Sequence, residues 1–211
     1  MDTHTPLQLL IATRNAGKVK ELHSLLAGLP VRLRSLQEFA GVPEVAETGT
    51  TFAENAALKA VAYARATQLL TLADDSGLEV EALNGAPGVF SARYAGEHAT
   101  DGARIARLLH ELNRTGNPFR RARFVCAIAV ADPNGNLLHT SEGICAGHMA
   151  QEPSGGGGFG YDPVFVPDEY DQSFASLPPE IKEQISHRAR AFHAARFFLF
   201  DHLQDTGLTI N

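Results

Sequence analysis

Tryptophan is absent, and cysteine is nearly so: the 211 residues hold only Cys126 and Cys145. The two thiols form no CxxC pair, and no set of residues at zinc-ligand spacing surrounds them. A disulfide-stapled scaffold is therefore excluded, and two buried thiols on strands in a reducing compartment are expected. Long apolar runs are missing too. The stretch Leu9 to Ala12 is far short of the ~20 apolar residues that cross a bilayer. The start, MDTHTP, lacks the basic beginning of a secretory signal. Positive charge is also in short supply. Eighteen Lys and Arg face 24 Asp and Glu, a net charge of −6, which argues against a nonspecific nucleic-acid binder. What remains is ordinary: 44% hydrophobic and 20% charged residues, enough for a core without metal or disulfide support. One domain over 1–211, in the cytoplasm, is expected.

The chain alternates strand and helix signals. Leu7 to Ala12 reads as a buried strand. Gly17 to Leu29 follows as an amphipathic helix, with Val19, Leu22, Leu25, Leu26 and Leu29 on one face. Val31 to Leu36 alternates at period 2. Thr51-Phe-Ala-Glu54 has capping-box spacing and opens an Ala-rich helix to about Gln68. Leu70 to Ala73 reads as a short strand running into Asp74-Asp75-Ser76-Gly77. Thr100 caps a helix to about Asn113. Arg123 to Ala131 and Leu137 to Ala146 are strands joined by a hairpin signal at Asp132 to Asn136. Gly155 to Gly158 reads as a flexible loop, Pro163 to Val166 as a short strand, and Ser186 to Leu203 as a last helix. In that helix, Phe197-Phe198-Leu199-Phe200 is read as a stripe facing the core. Crossover and hairpin strands together imply an α/β protein with a mixed sheet.

Only four of the cations are lysines, Lys18, Lys20, Lys59 and Lys182. Lysine is a compact charge suited to a phosphate oxygen. Thr13-Arg14-Asn15-Ala16-Gly17-Lys18 lies at a strand-to-helix turn, where free N–H groups and the dipole favour an anion. It matches neither the Walker pattern nor GxGxxG. Its plainer reading is Asn15 as a helix cap with Lys18 in solvent. Glu47, Glu54, Asp74 and Asp75 form an acidic group suited to Mg²⁺. Glu54 is first a capping-box partner, and Asp-Asp-Ser-Gly is by default a turn with Gly77 at positive φ. On an extended strand Asp74 and Asp75 point to opposite faces. Phe159-Gly160-Tyr161-Asp162 follows the glycine run, and an aromatic offered there can stack a base. His187 and Arg188 open the last helix against the dipole preference for acids, which points to an acceptor-rich ligand. The alternative for His187 is a surface histidine.

Read in order, TxNxxK, ETGxTFxENAxxKA, ADDSGL, GAPGxxSARYAG, GGFGYDPxF and KxxISHR resemble the inosine triphosphate pyrophosphatase family, the dITP/XTP pyrophosphatases of noncanonical purine nucleotides. They stand here at Thr13 to Lys18, Glu47 to Ala60, Ala73 to Leu78, Gly85 to Gly96, Gly157 to Phe165 and Lys182 to Arg188. The resemblance implies an elongated mixed β-sheet flanked by helices, two lobes around a central cleft, a homodimer and Mg²⁺ dependence. It implies cleavage of ITP, dITP and XTP to the monophosphate and pyrophosphate. Glu47 and Asp75 become the metal ligands and Asp75 the proton acceptor. Thr13, Arg14, Asn15, Ala16, Gly17, Lys18, Lys59 and Ser76 become phosphate-binding. Phe159, Gly160, Tyr161, Asp162 and Lys182 attend the base or sugar, and His187 and Arg188 meet the purine 6-oxo group. No nucleic-acid or membrane partner is implied. The alternatives are a nucleotide-binding regulator without catalysis and a pyrophosphatase of other modified nucleotides. The chain departs from the pattern at Ser176, where Glu often follows Phe-Ala. Gly155-Gly156 lengthen the glycine loop and are expected to loosen it.

Overall fold

The computed structural model describes residues 7–205. Its strands form one six-stranded sheet in the order β2-β1-β3-β4-β5-β6. The first strand, β1 (Leu7–Ile11), lies between β2 (Val31–Ser35) and β3 (Leu70–Val80), parallel to both. That position explains its unbroken apolar run: Leu9, Leu10 and Ile11 are all buried. β4 (Arg121–Ala131) and β5 (Leu137–Met149) are joined by the expected turn. There the Asp132 carboxylate accepts the Asn136 N–H at 2.8 Å, and Gly135 takes φ +80°. The short β6 (Phe165–Pro167) pairs antiparallel with β5. The mixed sheet is thus parallel at one edge and antiparallel at the other.

The helices begin where their caps dictate. Thr51 and Glu54 form both halves of a capping box at the start of α2 (Phe52–Thr67), which ends at Gln68 in the left-handed conformation. Thr100 caps α3 (Asp101–Arg114) by accepting the Ala103 N–H. α1 (Ala16–Leu25) is shorter than its apolar pattern and stops before Leu29. The expected last helix is preceded by a separate short one: α4 (Pro179–Ile185) ends at Ser186, and α5 (His187–Asp205) starts directly after it. No helix of the described residues is long and apolar enough to cross a membrane.

Chain contacts divide the described residues into two compact units. The first comprises residues up to Asp75, Ala127–Glu142 and Ala191 onward; the second comprises Ser76–Cys126 and Gly143–Arg190. β3, β4 and β5 each contribute residues to both. In the first unit, Leu9, Leu22, Leu36, Leu72, Phe192 and Leu199 are among the fully enclosed side chains. In the second, Leu78, Leu108, Leu112, Phe124, Met149, Phe165 and Phe174 lie in one apolar cluster, with Cys145 among them. Both cysteines are buried on strands and form no disulfide, as expected.

Four local readings are corrected. Asp74-Asp75-Ser76-Gly77 is no turn; all four residues lie inside β3. β3 has a neighbour on each edge, so its backbone is satisfied by pairing, and this outweighs the local turn preference. The aromatic run near the C-terminus does not face the core together. Leu199 is fully enclosed, but Phe197 is 71% and Phe200 39% exposed. Consecutive helical residues step ~100° apart, so four in a row cannot share one face. The glycine loop is seated, not loosened. A side chain on Gly155 would lie 2.3 Å from the Ala175 backbone, and the Gly157 N–H donates to the Ala175 carbonyl at 3.0 Å. Finally, His187 is no surface residue: it is buried and its ring stacks on Phe124 at 4.6 Å.

Candidate active site

The first unit brings two lysines onto three acids. α2 buries the face carrying Phe52, Asn55, Ala56, Lys59, Ala60 and Tyr63, a 3-4 spacing that turns Lys59 inward with the apolar residues. Its ammonium meets Glu47 Oε1 at 2.6 Å and Asp75 Oδ1 at 3.2 Å. Lys18, in the first turn of α1, meets Asp74 Oδ2 at 2.9 Å. The neighbouring acids on β3 thus hold different lysines, as side chains that alternate across a strand require. The segment carrying Glu47 is fixed from α2: Asn55 accepts the Gly49 N–H at 2.8 Å, and the Tyr63 hydroxyl accepts the Val45 N–H at 3.2 Å. Gly49 is required there, since a Cβ would lie 2.7 Å from Asn55 and Glu54. Asn55 stands inside the Glu47 to Ala60 motif but was given no role there, and Tyr63 lies outside every motif, although both lie one turn from Lys59 on the same helix face.

Burial dominates the electrostatics. It pushes the Asp75 carboxyl above its ordinary value, against the pull of Lys59 and Lys18. Burial also works to lower Lys59, but the charges of Asp75, Asp74 and Glu47 outweigh it and raise the ammonium. Asp75 Oδ2 is buried with no hydrogen-bond partner among the described residues. Such an oxygen is costly unless something outside the protein meets it. No group of three or more His, Cys, Asp or Glu that would enclose a metal occurs among the described residues. Two carboxylates converging on one cationic position, with one oxygen to spare, do fit Mg²⁺, which uses one or two carboxylates and keeps its waters.

In the turn after β1 the Asn15 cap is as expected, but Lys18 is not left in solvent, since it pairs with Asp74. Asn15 accepts the Lys18 N–H at 3.1 Å, and Thr13 Oγ1 accepts the Asn15 N–H at 3.2 Å. Ala16 and Gly17 form the first turn of α1. Arg14 is turned elsewhere: its guanidinium donates to the Val42 carbonyl at 3.0 Å. Glu54 serves the capping box and also accepts the Thr50 N–H at 2.6 Å, so it stays a structural acid.

The second unit gathers the base-side motifs. Asp162 Oδ2 accepts the Phe159 N–H at 2.8 Å and Lys182 Nζ at 2.5 Å. Lys182 sits 4.6 Å from the Phe159 ring centroid, and the Arg188 guanidinium 5.8 Å from it. Arg188 is 1% exposed and donates to Ser76 Oγ at 2.9 Å. Ser76, expected with the phosphate residues, is therefore engaged by an arginine from the base-side motif. Tyr161 is not offered to a ligand in the manner of Phe159. It is buried in the apolar cluster, its hydroxyl donating to the Ser91 carbonyl at 3.0 Å. Ser91 is itself buried, and its Oγ accepts the Leu78 N–H at 2.9 Å. The Gly85–Gly96 motif thus supports the loop and β3 from beneath. The Gly160 N–H donates to Asp101 Oδ2 at 2.7 Å, a contact no local signal announced.

The chain is similar to known proteins over most of its length. The sequence model of the Ham1 family matches residues 9–198. A dITP/XTP pyrophosphatase from Desulforamulus reducens is 53% identical over 189 residues, covering 90% of this chain and 94% of its own. A dITP/XTP pyrophosphatase from Geobacillus kaustophilus is 53% identical over 184 residues, covering 87% and 90%. Among solved structures, a HAM1 protein from Coxiella burnetii superposes with a TM-score of 0.85 at 42% identity, over 92% of this chain and 99% of that one. Sequence match, fold and chain length coincide over nearly all the described residues, and the chain belongs to the Ham1 family.

Proposed function

We propose that this chain hydrolyses the purine nucleoside triphosphates dITP, XTP and ITP to the monophosphate and pyrophosphate. The name carried by its relatives, at about half identity across the chain, supports the substrate class. The observation that carries the chemistry is the convergence of Glu47 and Asp75 on Lys59. Phosphoryl chemistry of this kind is mostly positioning and neutralisation of charge.

In this reading water attacks the α-phosphorus, the α–β anhydride bond breaks, and pyrophosphate leaves. Asp75 takes the proton of the attacking water. Its upward-shifted carboxyl is a better base than an ordinary aspartate, and the Lys59 charge favours its ionised form. Lys18 and Lys59 neutralise phosphate charge, and the N–H groups at the start of α1, around Ala16 and Gly17, add donors. A Mg²⁺ ion held by Glu47 and Asp75 would supply further charge and acidify a bound water. Phe159 offers its ring to the base, with Lys182 and Asp162 fixing its edge or the sugar. His187 and Arg188 supply donors for a 6-oxo group, where adenine's amino group would meet another donor. A cytoplasmic homodimer without nucleic-acid or membrane partners completes the proposal; the net charge of −6 supports the lack of nucleic acid.

The test is pyrophosphate release from ITP, dITP, XTP, ATP and GTP, with and without Mg²⁺. The proposal expects a much higher kcat/KM for the first three and none without the metal. Equal values for ATP and ITP overturn the base assignment, and nucleotide binding without turnover would make the chain a regulator.

A further inference from the structure

The loop that carries Phe159 has two successive backbone donors, and each is taken by a carboxylate. The Phe159 N–H goes to Asp162, and the Gly160 N–H goes to Asp101 Oδ2 at 2.7 Å. Asp101 is the first residue of α3, 59 positions away in the chain. It is not needed as the helix cap, because Thr100 Oγ1 already accepts the Ala103 N–H at 3.2 Å. Its second oxygen is held by Arg104, whose other nitrogen donates to the Ala92 carbonyl at 2.7 Å. The carboxylate is therefore anchored on one side and spent on the loop with the other. Gly160 stands at φ +61°, a conformation open to glycine that other residues adopt only at a cost.

We infer that Asp101, held by Arg104, is a positioning residue that fixes the Gly160 amide and thereby aims the Phe159 ring at the purine base. This rests on the reading of Phe159 as the base platform. With both amides pinned, the ring keeps only its own side-chain torsions to settle when nucleotide arrives. Such preorganisation strengthens binding by removing an ordering cost. Asp101 touches no reacting atom, so its effect falls on KM and spares kcat.

The experiment is steady-state kinetics of the full chain on ITP with Mg²⁺, using Asp101→Ala, Asp101→Asn, Phe159→Ala and the Asp101→Ala/Phe159→Ala double variant. Asp101→Ala should raise KM about three- to tenfold, the worth of one such hydrogen bond, with kcat nearly unchanged. Asp101→Asn keeps an acceptor oxygen and should return KM to within about twofold of the parent. Phe159→Ala should raise KM by roughly 5- to 100-fold through lost stacking. On that background Asp101→Ala should add nothing, since there is no ring left to aim. If the two changes multiply, or if Asp101→Ala lowers kcat and leaves KM alone, the positioning role is overturned. If Phe159→Ala raises KM and Asp101→Ala does not, this inference fails and the base platform stands. If Phe159→Ala itself leaves KM unchanged, the platform reading fails and takes the inference with it. Should Asp101→Ala not fold, Arg104→Ala frees the same carboxylate and must show the same pattern.

Discussion

Replacing Asp75 by Asn should abolish turnover without destabilising the protein. The side chain keeps its shape, and an amide oxygen can still accept from Lys59, now 3.2 Å from Oδ1. What disappears is the charge and the basic site. Loss of one essential acid–base group costs ~10²–10⁴-fold in rate, and loss of a metal ligand adds to it. Substrate keeps Lys18, Lys59, Lys182 and Phe159, so the loss falls on kcat. Stability moves the other way. Burial raises the Asp75 carboxyl above its ordinary value of 3.8. A group raised on folding contributes its stability below the unfolded value and loses it as pH climbs through the folded one. At neutral pH the ionised Asp75 is therefore a net burden, while Lys59 retains Glu47 at 2.6 Å if Asp75 is neutralised. A single stabilising substitution is commonly worth about 1 kcal/mol. For a chain of this size that is a Tm gain of ~2–4 °C. Thermal melts of Asp75→Asn and the parent, without metal, at pH 4 and pH 7.5 read it directly. The variant's advantage should be larger at the higher pH. A clear fall in Tm at pH 7.5 would refute the electrostatic argument. A larger kcat loss for Asp74→Asn than for Asp75→Asn would reverse the roles of the two neighbours.

Lys59→Met removes the cation shared by Glu47 and Asp75 and should cost about 2–3 kcal/mol, less than for a wholly buried pair because Glu47 reaches water. Mg²⁺ should restore part of that loss in a melt, and a Tm indifferent to both changes would refute the convergence. Gly155→Ala forces a Cβ to 2.3 Å from the Ala175 backbone at φ +81° and should cost about 1–3 kcal/mol in urea unfolding. Gly156→Ala meets nothing within 4 Å and should stay within ~0.5 kcal/mol of the parent. Glu54 is held below its ordinary value of 4.5 first by the Thr50 N–H, so the stability it lends is present above pH 4.5 and fades as pH falls. Glu54→Gln should flatten that acid limb, and an unchanged limb would show that the capping box does not report there.

Short-range signals account for most of what was legible in the sequence. Thr51 with Glu54, and Thr100 with Ala103, determine where α2 and α3 begin, because the bonds that cap a helix lie within three residues. The apolar run Leu9 to Ile11 determines a strand enclosed on both sides, and Asp132 to Asn136 a turn. The six motifs, in their order, determine the family, since residue types at fixed spacing are a property of the chain. The tertiary structure alone decided how far β3 runs, because its two flanking strands satisfy a backbone that local preference would have bent. It alone divided the acids between the lysines, Asp74 to Lys18 and Asp75 to Lys59. It alone placed His187 against Phe124, Arg188 on Ser76 and Asp101 under Gly160. Each of those contacts joins residues far apart in the chain, and no local propensity carries the distance between them.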